Sequence, residues 1–91
     1  MTVAEYVFDF LHSKKCNIVY MVSGSSAMWL TDALCRNKDV TAVCCHHEQA
    51  AAMAADGYGR VNEVPGVCLV TIGPGATNAI TGVAQAYLDS S

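Results

Sequence analysis

The sequence predicts an α/β protein, a parallel sheet flanked by helices on both faces. Three observations carry this. Apolar runs and amphipathic stretches alternate along the chain in the order α-β-α-β-α-β-α, the pattern of a sheet with crossover helices. The strand-like runs are apolar without polar alternation, as in strands covered on both faces. Ser23 to Ser26, Cys45 to Gln49 and Ile72 to Asn78 each separate such a run from the helix after it.

The first element is a helix over Thr2 to Lys14. Val3, Tyr6, Val7, Phe10 and Leu11 fall at i, i+3, i+4, i+7 and i+8, one stripe of a helix. Thr2 with Glu5 three residues on makes a capping box. Ile18 to Val22 follows as a buried strand. Ser23-Gly24-Ser25-Ser26 is a turn, with Ser26 in the position of a helix N-cap. Ala27, Leu30 and Leu34 mark a second helix that ends near Arg36 and Asn37. Val40 to Cys45 is the second strand, and Glu48 to about Tyr58 the third helix, with Gly57 and Gly59 near its end. Val67 to Thr71 is the third strand. Gly73-Pro74-Gly75 turns into a last helix lined by Ala76, Ile80, Val83, Ala84, Tyr87 and Leu88.

In open parallel sheets ligands bind beyond the carboxyl ends of the strands. A site is therefore expected from the three strand-end segments. Glu48 stands out there, being the sole Asp, Glu, Lys or Arg between Thr41 and Ala55. It opens a helix of small residues, Ala50-Ala51-Ala52-Met53-Ala54-Ala55, that can pack closely on its neighbours. Partial desolvation would raise the Glu48 pKa, and the helix N-terminus would lower it. A carboxylate balanced between the two is suited to sharing a proton, whereas a plain first-turn glutamate would only complement the helix dipole. His46 and His47 are expected in strand-end packing or local hydrogen bonding, because adjacent histidines diverge and no second cluster supplies metal ligands. Gly73 to Asn78 lacks the Gly-Lys-Ser/Thr ending of a P-loop, and Asn78 stands where a dinucleotide fingerprint needs its third glycine. Gly24-Ser25-Ser26-Ala27-Met28 breaks the G-x-S-x-G pattern at its last position.

Composition narrows the function classes. Of the 91 residues, 53% are hydrophobic and 14% charged, against about 25% charged in typical soluble domains. A chain this short buries a limited share of its surface, so it is expected to associate or to be part of something larger. The net charge of −3, with five Lys and Arg, argues against a nucleic-acid partner. No apolar run approaches the ~20 residues of a membrane span, and no basic-then-apolar leader opens the chain. Five cysteines, an odd number with no C-x-x-C pair, read as buried free thiols of a reducing cytoplasm.

Together these segments resemble a known family. His47-Glu48-Gln49-Ala50-Ala51-Ala52-Met53-Ala54-Ala55-Asp56-Gly57-Tyr58-Gly59-Arg60 resembles the H-E-x-x-A-x-x-x-A-x-G-Y-A-R segment of thiamine-diphosphate enzymes of the acetolactate synthase type. Pro65 to Thr71, then Gly73-Pro74-Gly75-Ala76-Thr77-Asn78, resembles that family's next strand and its G-P-G-x-T-N turn. Tyr87-Leu88-Asp89-Ser90 resembles the end of the following helix. The resemblance implies that residues 1–91 are the N-terminal part of a pyrimidine-binding domain, with the central and diphosphate-binding domains absent from this sequence. It also implies that Glu48 hydrogen-bonds N1′ of the cofactor's aminopyrimidine and favours the imino tautomer. That tautomer's nitrogen removes the thiazolium C2 proton, and the cofactor then attacks a 2-keto acid such as pyruvate.

By the same resemblance, Val22, Ser23 and Gly24 lie near the pyrimidine on the first loop, and Thr71, Pro74 and Asn78 on the third. Magnesium is held by the diphosphate domain, and the site forms between two subunits of the same enzyme. Flavin (FAD) binding, the exact substrate and the second acceptor stay open. The sequence departs from the family where Ser23-Gly24-Ser25 replaces the common P-G-G, where Ile72 replaces Ser, and where Gly59 replaces Ala. The competing expectation is a non-catalytic remnant or binding module of the same fold. A dinucleotide-binding module is a third, which the incomplete glycine fingerprint disfavours.

Overall fold

A computed structural model of the chain describes residues 2–22, 24 and 27–88. The elements run α1 (Val3–Ser13), β1 (Ile18–Met21), α2 (Met28–Arg36), β2 (Thr41–Cys44), α3 (Glu48–Asn62), β3 (Val67–Leu69) and α4 (Pro74–Leu88). Both strand pairs are parallel and the sheet order is β2-β1-β3. The fold class read from the sequence is the one observed.

The order of strands determines where the helices lie. From β1 the chain crosses to β2 on one side, then back over β1 to β3 on the other. Parallel crossovers are right-handed, so two crossovers in opposite directions fall on opposite faces. Val19 and Met21 of β1 are buried with Phe8 of α1, Ala33 and Leu34 of α2, and Val40. Their register partners, Ala42 with Val67 and Leu69, pack on the same cluster. Side chains alternate across a strand, so Tyr20 points the other way. There its ring meets Tyr58 of α3 edge-on at 6.2 Å. α3 thus covers β1 and β3 on the second face, and α4 packs along α3.

Local chemistry explains the boundaries. Thr2 Oγ1 accepts from the Glu5 main-chain N–H at 3.2 Å, and the Thr2 main-chain N–H donates to Glu5 Oε1 at 2.8 Å, so the capping box forms as expected. Strand β3 stops at Leu69, two residues before the expected end. It pairs with β1 alone, and β1 ends at Met21, the partner of Leu69. The third helix runs past its expected end at Tyr58 to Asn62, where Glu63 closes it in the left-handed conformation at φ 57°. Gly59 is no breaker. It lets the chain return close to the helix, since a Cβ there would stand 3.1 Å from the Val64 carbonyl oxygen and the Gly66 nitrogen. The cap position of α2 falls on Ala27, which carries no side-chain cap, and Ser26 lies outside the described residues.

The expectation of buried thiols needs correction. Cys16 is buried, but Cys35 and Cys44 are exposed and Cys45 and Cys68 half-buried. Cys44 and Cys45 belong to β2 and its end, an edge strand that pairs only with β1 among the described residues. All five cysteines are free.

Candidate functional site

The strands end in the same direction, and the segments after them meet. After β2, His47 caps α3: its Nδ1 accepts the Gln49 main-chain N–H at 3.0 Å. This is the local hydrogen bonding expected of that histidine, and no group of three or more metal-ligating side chains gathers among the described residues. The cap places Glu48 in the first turn of α3, with its carboxylate at the helix N-terminus.

After β3, Gly73 turns with φ 74°, and its carbonyl accepts from both the Thr77 main-chain N–H at 3.0 Å and the Thr77 hydroxyl at 3.1 Å. Pro74 takes the first position of α4, where no main-chain donor is needed. One turn later, Asn78 Nδ2 donates to Glu48 Oε1 at 3.2 Å. Residues 30 apart in sequence are thereby joined.

Two glycines set the spacing around this pair. A Cβ on Gly24 would stand 2.4 Å from the Thr71 Cβ, so the β1 loop lies directly on Thr71. A Cβ on Gly75 would meet Thr71 Cγ2 at 2.8 Å and Glu48 Oε2 at 3.4 Å. Gly24, Glu48, Thr71, Gly75 and Asn78 form one cluster on the carboxyl edge of the sheet. Of the residues singled out in the sequence, Glu48, Gly24, Thr71 and Asn78 are brought together. Val22 extends the β1–β3 pairing toward the cluster, its N–H donating to the carbonyl of Leu69, two residues before Thr71, at 3.2 Å. Pro74 contributes the start of α4 and is itself exposed. Ser23 lies outside the described residues.

The electrostatics correct one expectation. The Glu48 carboxyl is held below the ordinary glutamate range, first by its own main-chain N–H, then by the Asn78 amide, with the neighbouring His47 adding to this against a weaker effect of burial. The expected desolvation does not dominate, because the carboxylate faces open surface on this chain. Beneath it, burial pushes the Cys68 thiol up, with Cys45 and Glu48 adding to the shift. Sequence reasoning had not joined Gly75, Cys45 or Cys68 to Glu48. Strand parity could have found the thiols, since Cys68 is the register partner of Tyr20 and Cys45 stands two residues after Val43, another partner of Tyr20.

The arrangement can accept an N–H from a ligand at a carboxylate, while the two glycines let the segments after β1 and β3 close on the Thr71 side chain beside it. That matches the donor and acceptor needs of an aminopyrimidine, so the residues fit the cofactor that the resemblance implies. The cluster is an open shelf. A cavity of about 480 Å³ lies elsewhere, at the far end of α3, walled by Ala55, Gly59, Val64, Pro65 and Ala86.

Comparison with known proteins gives the same direction. Residues 1–91 match the family described as thiamine pyrophosphate enzyme, N-terminal TPP binding domain. The acetolactate synthase isozyme 2 large subunit of Escherichia coli (strain K12) is 47% identical over 90 residues, which is 99% of this chain and 16% of that protein. A probable acetolactate synthase large subunit of Methanococcus aeolicus is 45% identical over 91 residues, 100% of this chain and 15% of that protein. The chloroplastic acetolactate synthase of Arabidopsis thaliana is 38% identical over 87 residues, 96% of this chain and 13% of that protein. The chain spans about one-sixth or less of the length of these curated relatives.

Proposed function

This chain belongs to the thiamine pyrophosphate enzymes, as their N-terminal TPP-binding domain, and on that premise we propose that it supplies the pyrimidine-side half of an acetolactate synthase-like site for decarboxylation and carboligation of 2-keto acids. The observation that carries the reading is the Glu48 carboxylate, set at a helix N-terminus on the carboxyl edge of a parallel sheet, with Gly75 beside it and Asn78 bonded to it. When bound, thiamine diphosphate supplies a carbon nucleophile for a keto acid such as pyruvate, which no protein side chain provides.

This chain's residues would orient and tune that group. Glu48 accepts the hydrogen bond of a ring nitrogen and shares its proton. Gly24 and Gly75 let their segments pack on the Thr71 side chain, so that the loops after β1 and β3 meet beside Glu48. Thr71, Pro74 and Asn78 of the third loop and Val22 of the first would lie about the ring, as would Ser23 by the family resemblance. On the open shelf Glu48 is ionised. Covering the shelf removes water and raises a carboxyl pKa, which brings Glu48 towards the range in which a proton is shared. The cover belongs to a second subunit of the same enzyme, whose diphosphate-binding domain holds the magnesium ion. Free cysteines accord with a reducing compartment, the cytoplasm or an organelle of that kind. No helix among the described residues is long and apolar enough to cross a membrane.

The test is Glu48→Gln in the full-length protein that carries residues 1–91. Cofactor affinity should change little, while turnover of pyruvate should fall by about 10²–10⁴-fold, the usual scale of a lost acid–base group. Unchanged turnover in the variant would overturn the role given to Glu48, and no turnover in the wild type would favour a non-catalytic module of the same fold.

A further inference from the structure

Among the bonds of the cluster, one has an unusual partner choice. Glu48 faces α4, and α4 carries no acidic or basic residue along its whole length. The group that reaches Glu48 from it is an amide. Resting on the reading of Glu48 given above, we propose that Asn78 is a positioning residue, whose side-chain N–H fixes Oε1 so that Oε2 stays over Gly75 as the oxygen that meets the ligand's ring nitrogen.

The geometry supports each part. A carboxylate can only accept, so the Asn78 side chain must present Nδ2 rather than Oδ1 to it. The bond occupies Oε1 at 3.2 Å. Oε2 lies where a Cβ on residue 75 would come to 3.4 Å, so glycine leaves that oxygen uncovered. Gly75 and Asn78 are three residues apart and share a face of α4. One helix face therefore holds one carboxylate oxygen and exposes the other.

The neutrality of the partner has a chemical consequence. Lys or Arg at residue 78 would pair with Glu48 and hold it ionised against any ligand. An amide orients the carboxylate with a single hydrogen bond and leaves its proton affinity free to rise when water is excluded. The other titratable groups near the carboxylate are His47, beside it on α3, and Cys68, from β3. His47 acts in the same sense as Asn78, so the test must separate them.

The measurement is the titration of the Glu48 side-chain carboxyl by ¹³C NMR, with no cofactor present. In the wild-type chain it should titrate below the ordinary glutamate range. Asn78→Ala should raise the midpoint by about half a unit or more, the scale of one hydrogen bond to a carboxylate. Asn78→Asp should raise it further by adding a like charge. Thr81→Ala, an exposed change on the same helix, should leave it unmoved. Asn78 is exposed, and alanine favours a helix, so the variant retains the fold. A wild-type midpoint in the ordinary range, an unmoved midpoint in Asn78→Ala, or an equal shift in Thr81→Ala would each overturn the proposal. Because no cofactor enters the titration, its failure is distinct from failure of the Glu48→Gln test.

Discussion

At the scale of single residues, the site rests on contacts of a few ångströms, and these set what each substitution should do. Gly75→Ala places a methyl 2.8 Å from Thr71 Cγ2 but at near-ordinary distance, 3.4 Å, from Glu48 Oε2. The cost should be about 1–3 kcal/mol of overpacking. Thr71→Ser removes Cγ2, so the double variant should recover most of that loss, as read by a denaturant-melt cycle. A cost that persists in the serine background would place the strain elsewhere. Glu48 also links the site to pH. Its carboxyl is depressed in the folded chain, so its contribution to stability is full above the unfolded pKa and is lost as pH falls through that value towards the folded one. Asn78→Ala should flatten that acid limb. Much of this was legible in the sequence: an isolated carboxylate between a strand and an alanine-rich helix needs a reason, and Asn78 closes a recognisable turn. What was not legible was the bond between them, because a spacing of 30 residues has no local signature. The sense of the Glu48 shift depends on how much of the carboxylate water reaches, and that follows from packing rather than from neighbours in sequence.

At the scale of elements, periodicity found all seven, and the misplaced ends have a common cause. Val67 to Thr71 reads as one apolar run, yet β3 ends where its partner β1 ends. Gly57 and Gly59 read as a stop, yet α3 continues to Asn62, because the value of Gly59 lies in contact with another segment. Boundaries set by a partner cannot be read from the run itself. The same holds for the seam between α3 and α4, which carries the Asn78 bond to Glu48. It is built of small residues, with Ala51, Ala52 and Ala55 buried on one side and Gly75, Ala79 and Gly82 on the other. A Cβ on Gly82 would stand 2.4 Å from the Ala52 Cβ and 3.0 Å from the Met53 main-chain nitrogen. Main chain cannot rotate away as a side-chain tip can. Gly82→Ala should therefore push the helices apart, cost about 1–3 kcal/mol or more, and lengthen the Asn78–Glu48 bond. Loss of the depressed Glu48 titration in that variant checks the coupling. A depressed titration retained despite a lowered melting midpoint would show that the seam does not hold the bond.

At the scale of the whole molecule, the excess of apolar residues noted in the sequence turns out to be surface. Val3, Tyr6 and Phe10 of α1 and Ile80, Val83, Tyr87 and Leu88 of α4 are exposed, with Tyr87 at 81% of its full accessibility. Exposed apolar stripes of this kind mark an interaction face, and the one on α4 begins at Ile80, two residues after Asn78. The open shelf, the uncovered helix and a chain spanning about one-sixth of its relatives' length agree with half a site that another domain completes. We propose that Glu48 of this half, by its hydrogen bond to the aminopyrimidine, would activate the cofactor held by the other half, so that the cofactor's own ring amine could take up the C2 proton. The most direct measurement is hydrogen–deuterium exchange at the cofactor's thiazolium C2, in the full-length protein carrying residues 1–91, compared between wild type and Glu48→Gln with cofactor bound in both. The account predicts fast exchange in the wild type and exchange slowed by about 10²-fold or more in the variant; equal rates in the two would contradict it.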